Sequence, residues 1–192
     1  MATFVTHSTA TAQWQALVAE AESAASCPLV EELESYLVFL LMRFSRKPEM
    51  ASNIIALDYL SGMLASGQVK QGRLRDVGDQ CLLYSGLFPQ QAERRHVRVS
   101  YFVNVGRSAY RQLSMGLANS YTDLYAHLSQ DFVALMDVLH AIRRMGSPLP
   151  CLAPLPAYEL WNDTGSRQAS EALRRITNAQ PVAVNEQDKP LH

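Results

Sequence analysis

The sequence predicts an all-α protein: a compact helical bundle of about six main helices, with a Pro-rich connector and a short C-terminal helix. Three observations carry this. Apolar residues recur at spacings of three and four through most of the chain. Proline and glycine punctuate the pattern where helices would stop. No internal repeat and no convincing strand run break it. Val97-Arg-Val-Ser-Tyr-Phe-Val103 alternates, but it would lack a partner strand.

The first helix is expected from about Thr9 to Ala25. Ser8, Thr9 and Thr11 are possible N-caps, and Trp14, Leu17, Val18 and Ala21 form its stripe. Ser26-Cys27-Pro28 ends it. The second, Leu29 to Phe44, has the strongest pattern, with Leu33, Leu37, Leu40 and Leu41 on one face. Glu31, Glu32 and Glu34 sit at its positive end; Arg43, Arg46 and Lys47 sit at its negative end. Val38, Phe39 and Met42 cover its back, which predicts a central helix. Its glutamates are read as dipole-matched surface charge; no Glu-x-x-His occurs to complete a di-metal site.

Pro48 separates a third helix, about Glu49 to Ser66, whose stripe is Ile54, Leu57, Leu60, Met63 and Leu64. A fourth covers Gln71 to Leu87, and Pro89 stops it. A fifth runs from about Ser100 to Met115. Ser120-Tyr-Thr-Asp123 has capping-box spacing and opens a long sixth helix to about Met145. Pro148, Pro150, Pro154 and Pro156 then predict a stiff extended connector, pinned back by Tyr158, Leu160 and Trp161. A weak helix from Ser166 to Asn178 follows. Residues 1–178 read as a single helical domain, and residues 179–192 as a disordered tail.

At 192 residues the chain can build one real core. Hydrophobic residues make up 48% and charged residues only 18%, so little polar surface covers the fold. That favours a large core or a partner that hides part of the outside. A formal net charge of -1 gives no steering toward nucleic acid or an anionic membrane. Cys27, Cys81 and Cys151 are odd in number and widely spaced. They read as reduced cytoplasmic thiols, neither a disulfide frame nor a zinc site. The N-terminus lacks the pattern of a signal peptide, and the most apolar window is too short to span a bilayer.

Candidate functional residues concentrate between Leu74 and Tyr110. Leu74, Val77, Gly78, Cys81, Leu82, Ser85 and Phe88 share one face of the fourth helix, and small residues there invite close approach of another helix. Asp76 and Asp79 project from one side, where two carboxylates can share a proton, hold a cation or pair with arginine. Arg107 can clasp a carboxylate with two hydrogen bonds, and Asp79 or Asp76 is its expected partner. Tyr84, Tyr101 and Tyr110 complete a candidate pocket between helices 71–87 and 100–115. Asp123, His127 and Asp131 lie four apart on the sixth helix. Their spacing admits a metal ligand but reads better as a partly exposed histidine. The basic run Arg94-Arg-His-Val-Arg98 has no second stripe to make a nucleic-acid surface. No phosphate loop, nucleophile elbow or Cys–His pair is present, and no metal or cofactor is called for.

Asp79-x-x-Leu82-x-Tyr84-Ser85-Gly86-Leu87-Phe88-Pro89, followed by Tyr101-x-x-x-x-Gly106-Arg107-Ser108-Ala109-Tyr110, resembles phrasing in a group of uncharacterised bacterial all-helical proteins of about this chain's length. The resemblance covers the centre of the chain. It implies a bacterial cytoplasmic protein and transfers no catalytic residue. The expected function is a non-enzymatic helical module that binds a protein partner or itself. The alternative is a helical enzyme or small-ligand-binding protein that uses the Tyr/Arg/Asp pocket.

Overall fold

The computed structural model describes residues 9–47, 55–116, 121–147 and 152–177, and every regular element among them is a helix. The chain runs through α1 (Ala10–Ala25), α2 (Glu31–Arg46), α3 (Ile55–Leu64), α4 (Gly67–Gly86), the single turn α5 (Gln90–Arg94), α6 (Val99–Gly116), α7 (Tyr121–Gln130), α8 (Phe132–Gly146), α9 (Pro154–Thr164) and α10 (Arg167–Thr177). The all-α expectation holds. The helix number does not: nine helices of ten residues or more stand among the described residues, against about six main helices and a short C-terminal one. No helix among the described residues is long and apolar enough to cross a membrane. The tail from residue 179, Cys151, Pro148, Pro150 and Ser120 lie outside the described residues.

Two differences account for the extra helices. The expected long sixth helix is two, α7 and α8. Asp131 between them has φ -93 and ψ 17, which breaks the ladder and lets the axis turn. Through that turn α7 packs on α6, while α8 packs on α1 and α4. The expected Pro-rich connector becomes helical at Pro154. The first N–H groups of a helix have no intrahelical acceptor, so prolines at 154 and 156 forfeit nothing there. Tyr158, Leu160 and Trp161 therefore lie on a helix, and Leu160 is buried.

The central helix is α4, not α2. It packs against α3, α6 and α8, and every residue from Val77 to Gly86 is buried. Small residues make this possible. A Cβ on Gly106 of α6 would lie 2.8 Å from Cys81 Cβ, and one on Gly86 would lie 2.5 Å from Leu139 Cβ of α8. The thin faces expected of these helices thus do meet. By contrast, α2 packs mainly on α1 and α7. Leu33, Leu37, Leu40 and Leu41 are buried as expected, but Phe39 is 63% exposed. The core face read for the sixth helix also holds, with Leu128, Phe132, Leu135 and Leu139 buried. Of the stripe expected on α3, Leu60, Met63 and Leu64 face outward, while Ile54 and the Leu57 side chain lie outside what the structure describes.

Candidate binding cleft above Asp79

Asp79 is fully buried in the middle of α4. An isolated buried carboxylate would be costly, so its oxygens must find donors. Tyr36 Oη donates to Oδ1 at 2.6 Å, and Tyr110 Oη donates to the same oxygen at 2.7 Å. Arg43 donates through Nη2 to Oδ2. Tyr36 and Arg43 are seven apart on α2, two helical turns, so one face of α2 delivers both. Tyr110 comes from α6. A Cβ on Gly78 would collide with the Tyr110 ring, 2.7 Å from Cδ1 and 2.8 Å from Cζ. The missing side chain at 78 is what lets that ring lie on α4 and reach the next residue.

Burial raises the Asp79 carboxyl above its ordinary range, against the pull of the Arg43 guanidinium and the two tyrosine hydroxyls. The same burial, with the Asp79 charge adding to it, pushes both tyrosines well above their ordinary values. They therefore stay protonated and act as donors.

Above this cluster opens a cleft of about 690 Å³ between α2, α4, α6 and α7. Tyr36, Arg43 and Asp79 form its floor, and Phe39, Tyr121 and Tyr125 supply aromatic walls. Phe39 at 63% and Tyr121 at 58% exposure stand at its lip. Gln68, Gln71 and Arg75 line the α4 side. Arg43 is not saturated by Asp79. Its Nη1 has a 4.0 Å contact with Asp76, and its buried Nε has no hydrogen-bond partner among the described residues.

Of the six residues expected to form a pocket, only Asp79 and Tyr110 come together. Asp76 is half exposed at the rim, 3.6 Å from Arg75. Arg107 does not reach either aspartate. Its Nε donates to Ser129 O at 3.1 Å, and Ser129 Oγ donates to Arg107 O at 3.0 Å. Ser129 O is among the last carbonyls of α7, which lack intrahelical donors. Arg107 therefore caps α7, and the expected Asp–Arg107 pair is replaced by Asp79–Arg43. Tyr84 is five residues past Asp79 and faces elsewhere. Its ring stacks on Phe102 at 5.3 Å, and its hydroxyl accepts from Arg95 Nη2 at 3.2 Å. Tyr101 packs edge-on against Phe102 at 5.4 Å. The pocket expected between helices 71–87 and 100–115 is instead their packed interface, and the cleft lies beside it. The signal for Tyr36 and Arg43 was their two-turn spacing, hidden within the apolar pattern of α2.

The remaining candidates are engaged elsewhere. His127 lies 3.4 Å from Glu32 of α2, and both side chains are about half exposed. Asp131 marks the α7–α8 break. No group of three or more candidate metal ligands occurs among the described residues. In the basic run, Arg98 pairs with Glu159 at 3.3 Å and Asp163 at 3.6 Å.

A second buried cluster holds α10. Asp137 of α8 accepts from Ser166 Oγ at 2.5 Å and from Arg167 N at 2.9 Å. Ser166 Oγ in turn accepts from Ala169 N at 3.1 Å. His140, one turn on, donates from Nε2 to Ser85 O at 2.8 Å. Burial raises Asp137 to about 6 and lowers His140 to about 4. Serine, histidine and aspartate are thus close, but not as a nucleophile relay. The serine hydroxyl is spent on the carboxylate, and the ring hydrogen bond goes to a backbone carbonyl.

No protein-family model, curated protein or solved structure matches the chain. The functional reading rests on its own residues.

Proposed function

We propose that the protein is a non-enzymatic binding module and that its ligand seats in the cleft above Asp79. The supporting observation is a set of polar groups with spare hydrogen-bonding capacity beside one concave, aromatic-walled site, although Arg75 and Arg43 also contact Asp76 at its rim. Arg43 lines the cleft and is anchored by Asp79 through Nη2, while its Nη1 has only a 4.0 Å contact with Asp76. Arg75 stands beside it, and the Gln68 and Gln71 amides make no hydrogen bonds among the described residues. Anchoring one edge of a guanidinium orients its other edge at little entropic cost. The ligand chemistry that matches is an anionic group, carboxylate or phosphate, on a flat apolar body. The anion bridges Arg43 and Arg75, and the body lies against Phe39, Tyr121 and Tyr125. Either a free small molecule or an exposed group of a protein partner can present this chemistry. Asp79 supports binding rather than acid–base catalysis, because its lone pairs are already committed to three donors. The free thiols of Cys27 and Cys81 suit a reducing cytoplasm.

The test uses benzoate, phenyl phosphate and neutral benzyl alcohol, followed by amide chemical shifts of the full chain. The two anions should shift residues 68–72 and 121–125 saturably, with the alcohol much weaker. Arg75→Ala should weaken the anions several-fold while the rest of the spectrum stays in place. No saturable shift with any probe, or equal binding to the Arg75→Ala chain, defeats the proposal.

A further inference from the structure

Gly72 is the one glycine inside a helix, among the described residues, that no packing contact explains. A Cβ on Gly62, Gly78, Gly86 or Gly106 would press on a side chain of a neighbouring helix. Gly67 and Gly165 take positive φ, and Gly116 and Gly146 end α6 and α8. Gly72 stands more than one turn inside α4, and a Cβ built on it meets nothing within 4 Å. Glycine weakens a helix interior relative to alanine. Bare backbone here therefore costs stability and lets no helix come closer. What Gly72 does border is the cleft, which it lines half-buried.

Gln68, Gln71, Gly72, Arg75 and Asp79 all line the cleft from α4. Their spacings of three, four and seven put them on one face. From the floor outward this face presents three chemistries in order. Arg75 comes first, near Arg43; both contact Asp76, at 3.6 and 4.0 Å, and five donors on each guanidinium leave capacity to spare. Bare backbone at Gly72 comes next. Gln71 and Gln68 follow, about 6 and 10 Å beyond Arg75 at 1.5 Å of rise per residue. Their amides make no hydrogen bonds among the described residues, and each can both donate and accept. Phe39, Tyr121 and Tyr125 wall the same space.

We infer that, given the cleft as the seat of the ligand, this ligand is a mononucleotide. Its phosphate is held by Arg43 and Arg75, its base lies on the bare backbone at Gly72, and Gln71 and Gln68 read the base edge. Nucleobases combine a flat face that stacks on aromatic rings with an edge of donors and acceptors. A plain aromatic acid would use the arginines and the walls but leave both amides idle. At about 690 Å³ the cleft is of a size for drug-sized ligands and roomy for a single benzene ring. A side chain at 72 would fill the space the base needs, so glycine there sets the width of the cleft.

Titration of the full chain with adenosine and uridine 5′-monophosphates, followed by amide chemical shifts, tests this beside phenyl phosphate. At least one nucleotide should shift residues 68–72 and 121–125 saturably and bind more tightly than phenyl phosphate. Its nucleoside, without phosphate, and ribose 5-phosphate, without base, should each bind about ten-fold more weakly or worse. Gly72→Leu should unfold in urea no earlier than the wild type, yet lose the nucleotide. Gln71→Leu should weaken the nucleotide several-fold and leave phenyl phosphate unchanged. Phenyl phosphate that binds while neither nucleotide binds more tightly overturns the inference and leaves the cleft as an anion site. No saturable shift with any of these probes overturns both readings. Nucleotide affinity unchanged in folded Gly72→Leu, or shifts confined to residues 94–98, overturns the placement of the base. A Gln71→Leu chain that loses both ligands equally overturns the reading of the base edge.

Discussion

The Tyr110 ring lies directly over the bare α-carbon of Gly78, and this contact sets the geometry of the Asp79 cluster. Gly78→Ala would force the ring outward and lengthen its hydrogen bond to Asp79. The helix gains some intrinsic propensity from alanine, about 1 kcal/mol, but the clash is with a fully buried aromatic. A net loss of about 1–3 kcal/mol is expected in urea unfolding. A stabilised variant would show that Tyr110 has room to move.

Arg43→Met and Asp79→Asn should each cost about 3–5 kcal/mol, because each leaves a partner underserved in a buried setting. The double variant should recover part of that loss. Arg107→Met should cost only about 1 kcal/mol, the worth of a bond to a helix-end carbonyl. Its effect should add to that of Asp79→Asn. A coupled Asp79–Arg107 cycle and an additive Asp79–Arg43 cycle would reverse the assignment.

Asp137 and His140 make opposite contributions to pH dependence. Asp137 is raised from 3.8 to about 6, so the folded chain holds the extra proton between those values, and stability falls as pH rises through them. His140 is lowered from 6.5 to about 4, so the unfolded chain holds the extra proton, and stability rises with pH over nearly the same window. Each effect is about 3 kcal/mol and they largely cancel. Asp137→Asn should therefore unmask a rise in stability between pH 4 and 6.5, and His140→Gln a fall. Parallel pH profiles for wild type and both variants would contradict these shifts.

Leu37 and Leu40 are buried on α2, as the spacing of its leucines requires. Leu40→Ala should cost about 2–5 kcal/mol. Phe39→Ser, one residue away on the cleft lip, should change stability by about 0.5 kcal/mol or less. Equal losses would mean that the lip is covered in solution.

Helix existence was legible in this chain because its leucines repeat at helical spacing and its prolines fall at helix ends. The position of each helix in space was not. The rank of α4 as the central helix comes from Gly78, Ser85 and Gly86, which look weak in a sequence and matter only once α6 and α8 close on them. Pro154 and Pro156 have two readings, connector or helix start, and Tyr158, Leu160 and Trp161 beyond them were the clue to the second. For Asp79 the error was one of neighbourhood. Arg43 and Arg107 are equally plausible partners by charge, and only the packed order of the helices separates them. Asp79 itself, Tyr110 and the thin faces at Gly78 and Gly106 were visible beforehand.

Asp79 ties α4 to partners 36, 43 and 31 residues away in the chain. A partly assembled bundle that lacks either α2 or α6 must leave this carboxyl in an apolar setting with too few donors. Such intermediates are penalised, so the three helices should open together. In hydrogen exchange, the slowest amides of α2, α4 and α6 should share one opening free energy, while α3, held through one face, exchanges earlier. The buried carboxyl thus acts on the folding route as well as on the folded state, by making half-built forms scarce.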